Sequence, residues 1–143
     1  MNDWAPFSAV AIFAEDGRDE VGGTLSLIGI MPDNVAVASF PALLPRLHLY
    51  IRISYDPTDP PMTVSSGMRV NDDAPILTQA FDDAALRQSV ADALTSGTRI
   101  GTIIARFGAI NVQLHEPCLL NATITWNDEE YIVGNLNIDA AKA

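Results

Sequence analysis

At 143 residues the chain fits one domain, and roughly two-thirds of its unfolded surface can be buried without help from metals or disulfides. Eighteen acids against eight bases, seven of them Arg with Lys142 the exception, give a formal charge of -10 and leave no basic patch for nucleic acid or anionic membrane. A single cysteine, Cys118, excludes an intrachain disulfide, and an apolar fraction of 48% excludes a disordered chain. The start carries Asp3 and no basic stretch before an apolar one, which is not a secretory signal, and no apolar run approaches the ~20 residues of a membrane span. The chain is therefore expected to be cytoplasmic on synthesis.

Residues 8–14 read as a first strand, with Val10, Ile12 and Phe13 apolar, running into an acidic loop over 15–23. Gly22-Gly23 lacks the lysine and following helix of a phosphate loop and reads as a hairpin turn. Residues 24–30 form a second strand, stopped by Pro32-Asp33-Asn34, and 35–40 a short third. Pro41 and Pro45 then bracket a loop unsuited to regular sheet bonding.

The clearest strand spans 46–54. Leu47, Leu49, Ile51 and Ile53 alternate with Arg46, His48, Tyr50, Arg52 and Ser54, the period of two that marks one buried and one wet face. After the stop at Asp56-Pro57-Thr58-Asp59-Pro60-Pro61, residues 62–70 form another strand weakened by Gly67. Residues 82–95 are the one good helix: Asp82 or Asp83 caps it, Leu86, Val90, Ala93 and Leu94 form its apolar stripe, and Gly97 ends it.

Residues 99–107 and 109–114 are further strands around Gly108. The first of these runs is apolar on both faces, with Ile100, Ile103, Ile104 and Phe107 broken only by Arg99 and Arg106. It is expected to be central in a sheet or covered by another chain. In the final hairpin Leu120, Ala122, Ile124 and Trp126 share one face, as do Ile132, Gly134, Leu136 and Ile138 on the return. A loop of odd length sets Trp126 opposite Ile132 and Leu120 opposite Ile138, keeping Thr123, Thr125, Asn135 and Asn137 wet. An even loop turns Asn135 and Asn137 against Ala122 and Leu120, so the odd loop is expected, although the loop carries no Gly.

Many short strands, frequent Gly and Pro turns and one helix predict an all-β or mainly β fold: a single antiparallel β-sandwich over 1–143, Ig-like or similar, with helix 82–95 inserted between strands.

The run 13–30, with Glu15-Asp16, then Arg18-Asp19-Glu20, then Ser26-Leu27-Ile28-Gly29, resembles the opening of a family of small uncharacterised proteins from bacteria and their phages. Residues 41–45 and 128–136 are similar to its later part, so the likeness covers about half the chain and leaves out 82–95. The resemblance implies a β-sandwich-like fold and a phage setting, and no activity.

The chemistry-bearing residues are few. His48 sits on a wet strand face, and His115 precedes Glu116-Pro117 at a strand end; neither stands in a nucleophile–acid arrangement, and Ser65-Ser66-Gly67 reads as a turn. One Cys and two His at no motif spacing make no zinc site, and Cys118 reads as a buried structural thiol. Acidic and amide groups gather in Glu15/Asp16/Asp19/Glu20, Asp56/Asp59, Asn71/Asp72/Asp73 and Asn127/Asp128/Glu129. Asp and Asn favour turns for their own backbone bonds, and two such loops meeting at one end would also suit calcium. No catalytic, cofactor-binding or metal-ligating residue is assigned, and the chain is not expected to be an enzyme. The expected function is a structural or interaction module with a protein partner or itself, such as a phage virion component or capsid decoration protein. The alternative is a calcium- or carbohydrate-binding sandwich.

Overall fold

A computed structural model describes residues 5–71, 73 and 75–142. Asp3 and Asp72, named above, lie outside the described residues. The described residues form nine strands and one helix: β1 (Phe7–Asp19), β2 (Leu25–Ile30), β3 (Asn34–Val37), β4 (Ala42–Tyr55), β5 (Val64–Val70), β6 (Pro75–Ala80), α1 (Asp83–Thr95), β7 (Gly101–Leu114), β8 (Cys118–Trp126) and β9 (Glu129–Ala140). They make a four-stranded sheet in the order β2-β1-β4-β7 and a five-stranded sheet in the order β3-β9-β8-β5-β6. The sandwich expectation holds. One pairing departs from it: β3 runs parallel to β9, Asn34 to Val37 against Asn137 to Ala140.

The alternation read from β4 is what builds the core. Leu47, Leu49, Ile51 and Ile53 point inward and meet Leu120 and Ile124 of β8, Leu136 and Ile138 of β9 and Met68 of β5. Each such side chain, taken fully out of water, contributes roughly 1.5–3 kcal/mol. The two sheets approach closely where β1 crosses β9. A Cβ on Gly134 would sit 2.7 Å from the Cβ of Ala11, so only glycine fits there.

Several boundaries differ from the sequence reading. The acidic run does not form a loop: β1 continues through it to Asp19 and pairs with β2, Asp16 against Ile28 and Asp19 against Leu25. The turn is confined to residues 20–24, where Glu20 N–H donates to the Thr24 carbonyl (2.8 Å) and Gly22 and Gly23 both take positive φ. Pro41, after a cis peptide bond, precedes β4, but Pro45 lies within it. Opposite that position on β7 stands Asn111, in the left-handed region at φ 52°, so the ladder is irregular at the one place where Pro45 has no N–H to give. Strand β6 has no counterpart in the reading above, because Pro75-Ile76-Leu77-Thr78 lacks the period of two. It pairs at the edge with β5, and the absence of a Cβ at Gly67 leaves room for the Leu77 carbonyl.

Helix α1 follows its prediction closely. The Asp82 carboxylate accepts from the Ala85 N–H (3.3 Å), and Gly97, at φ 67°, follows the last turn. Leu86, Val90 and Ala93 are buried, whereas Leu94 is 52% exposed and not part of the stripe. The helix carries the chain from β6, an edge of one sheet, to β7, an edge of the other. It is tied there by Tyr55 Oη to Ser89 Oγ (2.9 Å) and by Ser89 Oγ donating to the Thr102 carbonyl (3.1 Å).

The final hairpin corrects the odd-loop expectation. Its loop has two residues, Asn127 and Asp128, both at positive φ, and Trp126 faces Glu129 while Ile124 faces Tyr131. The pairing then shifts between Ala122 and Thr123, leaving Val133 as the extra residue of a bulge. Beyond it Ala122 faces Gly134 and Leu120 faces Leu136, so the dry face is restored by the bulge rather than by the loop. The physical consequence is that Tyr131 packs inward and Ile132 is left 54% exposed.

Candidate functional site

The outer face of the four-stranded sheet carries the least expected arrangement. Its rows run across three strands: Val10, Arg52 and Ile104 in one, Ile12, Tyr50 and Arg106 in the next, and Ala14, His48 and Gly108 in the third. The far half of β1 and its partner β2 bend over the third row. Asp16 pairs with Arg46 (3.1 Å) and Asp19 with Arg106 (2.6 Å), anchoring the arm to β4 and β7.

His48 lies under this arm, 8% exposed, and not on a wet face as its place in the alternation predicts. A Cβ on Gly17 would be 2.6 Å from His48 Nε2, so the glycine lets the arm close on the imidazole. Neither His48 Nε2 nor Arg106 Nε has a hydrogen-bond partner among the described residues. Burial first, and then the Arg106 guanidinium, hold the His48 pKa below 6.5, while Asp16 and Asp19 pull it upward.

The first row is open. Val10 is 57% exposed and Ile104 49%, on either side of the exposed Arg52. Farther along β7 Ile110 is 75% exposed, and Ile100 and Leu43 are exposed near the two ends. Strand β7 is therefore not central. It is an edge, with Ile103, Ala105 and Phe107 in the core and Ile100 and Ile104 outside it. A long edge strand leaves a row of backbone groups unpaired, and helix α1 hydrogen-bonds to this one at Thr102.

Beside the Asp16–Arg46 pair a cleft of about 460 Å³ opens between β1, β2, β3 and β4. Ile30, Met31, Pro32, Val35 and Leu44 give it apolar walls, and Glu15 and Arg46 also line it.

The other residues singled out from the sequence stand apart from both features. His115 is exposed in the bend after β7, and Ser65, Ser66 and Gly67 lie inside β5, not in a turn. Cys118 is buried at the start of β8, where burial and then Glu116 raise its thiol pKa. The turn carboxylates and amides mostly serve their own backbone. Asp56 accepts from Thr58 N–H (2.9 Å) and Oγ1 (2.7 Å), Asn71 from Leu119 N–H (2.8 Å), and Asn127 from Met62 N–H (2.6 Å). Among the described residues no three His, Cys, Asp or Glu side chains gather where they would hold a metal ion, and no helix is long and apolar enough to cross a membrane. No protein-family model matches the chain, and no curated protein matches it.

Proposed function

We propose that this protein is a non-enzymatic β-sandwich that works within a protein assembly, making its contact through the open outer face of the four-stranded sheet and the adjoining edge of β7. The observation that carries this reading is the exposure of Ile104 and Ile110 on the edge strand β7, with Val10 of β1 exposed on the same face of the sheet. Exposed aliphatics beside unpaired backbone are what an interaction surface offers and what a solitary sandwich avoids.

The finer form of the proposal is a virion component such as a capsid decoration protein. The likeness of residues 13–30 to proteins of bacteria and their phages supports that setting. So does the charge of -10, which suits a shell protein that does not engage the packaged nucleic acid. Mass spectrometry of purified particles of a parent phage tests it, and absence from the particles overturns the virion form.

The contact itself is tested by light scattering on the purified chain and on Ile104→Asp. The wild type is expected above its single-chain mass of 15.4 kDa at high concentration, and the folded variant at that mass. A wild type that stays at the single-chain mass, or a variant that assembles equally well, overturns the reading.

A further inference from the structure

We infer that the occupant of the β7 edge is the β7 edge of a second copy of this chain, paired antiparallel about Phe107 so that two four-stranded sheets become one. The inference rests on the contact surface proposed above and adds its partner and register.

The geometry starts from Thr102. Its carbonyl accepts from Ser89 of α1 and so is directed away from β4. In an antiparallel ladder the outward-directed residues alternate, which places the N–H and C=O of Ile104, Arg106, Gly108 and Ile110 on the open side. The opening has two limits. Helix α1 occupies the edge at Thr102, and the left-handed Asn111 breaks the regular strand at the other end. The midpoint of the window from Ile104 to Ile110 is Phe107.

A two-fold axis through Phe107 sets Ile104 opposite the partner's Ile110 and Arg106 opposite the partner's Gly108, each pair occurring twice. Both exposed isoleucines gain an aliphatic partner on the same face, and no two arginines stand directly opposite one another. An axis at Arg106 would set two arginines face to face, and one at Gly108 would leave the isoleucines unmatched. The side chain of Arg106 is already drawn along the face to Asp19, and the glycine opposite it leaves room. The same surface patch serves both copies, as a closed two-fold dimer requires.

The test combines mass with register. By sedimentation the wild type is expected to run at twice its single-chain mass, and Gly108→Pro at the single-chain mass with an unchanged β-type circular dichroism spectrum. The proline removes one outward N–H and none that β4 uses. A 1:1 mixture of Ile104→Cys and Ile110→Cys is expected to form a disulfide dimer under mild oxidation, since paired Cα atoms lie about 5.5 Å apart. Each variant alone is not, since the equivalent residues then lie about 20 Å apart. A wild type dissociated by Ile104→Asp and not by Gly108→Pro leaves the contact face standing and overturns strand pairing. Cross-linking of Ile104→Cys with itself overturns the register, and a wild type of single-chain mass overturns the dimer.

Discussion

His48 owes its burial to Gly17. The arm formed by the end of β1 lies on the imidazole because position 17 has no Cβ. Gly17→Ala is therefore expected to cost about 2 kcal/mol of stability through forced displacement of the ring. In a His48→Ala background the same change should cost less than about 1 kcal/mol, because the clash is gone. Urea unfolding of the four proteins measures the coupling, and equal costs in both backgrounds would remove this account of the arm. A pH dependence follows from the same contact. The folded chain holds His48 below 6.5, while the unfolded chain takes up its proton near 6.5. Below that pH the unfolded state binds more protons, so stability is present above it and is lost as pH falls toward the lowered folded value. Thermal midpoints at about pH 7.5 and about pH 5.5 should fall more steeply in the wild type than in His48→Gln. Parallel slopes would mean that the ring is solvated.

At the scale of elements, the β8–β9 hairpin combines a two-residue turn with a bulge. Asp128 takes φ 68°, a conformation that costs an ordinary residue about 1 kcal/mol and glycine little. Asp128→Gly is therefore expected to stabilise the protein by about 0.5 kcal/mol after the larger chain entropy of glycine is counted. A loss of stability in urea would show that the Asp128 side chain has a role the turn geometry does not require. The hairpin also marks how far the sequence could be read. The shared apolar face of Leu120, Ala122, Ile124 and Trp126 was legible because alternation is a local property. The register was not, because Val133 resets the phase by a bulge that nothing in its neighbours announces. The core face of β4 and the cap, stripe and end of α1 were legible for the same local reasons, apart from Leu94. The acidic run at 15–19 was not recognisable as strand, since Glu, Asp and Gly are poor strand formers and its pairing with β2 and the sheet beneath overrides their preference. Of the candidate surface, the apolar excess of residues 100–107 was visible and its place at an edge was not. Whether a strand is central depends on sheet order, and helix α1 delivers the chain to the outside of β4.

The whole molecule has two unlike sides around its core. The outer face of the four-stranded sheet is crossed by the arm of β1 and β2, held by the Asp16–Arg46 and Asp19–Arg106 pairs. The edge of that sheet at β7 takes a hydrogen bond from α1 at Thr102 and has no strand partner beyond it, with Ile104 and Ile110 exposed. Strand pairing through that opening would join two chains each of charge -10, so the contact depends on matched apolar side chains and backbone bonds rather than on charge. Amide hydrogen exchange at Ile104, Arg106, Gly108 and Ile110 tests this most directly, because their N–H groups have no strand partner in the isolated sandwich. Exchange at these four amides is expected to be fast in dilute solution and slow at high protein concentration, with their neighbours Ile103, Ala105 and Phe107 protected throughout. Fast exchange at all four at every concentration would contradict it.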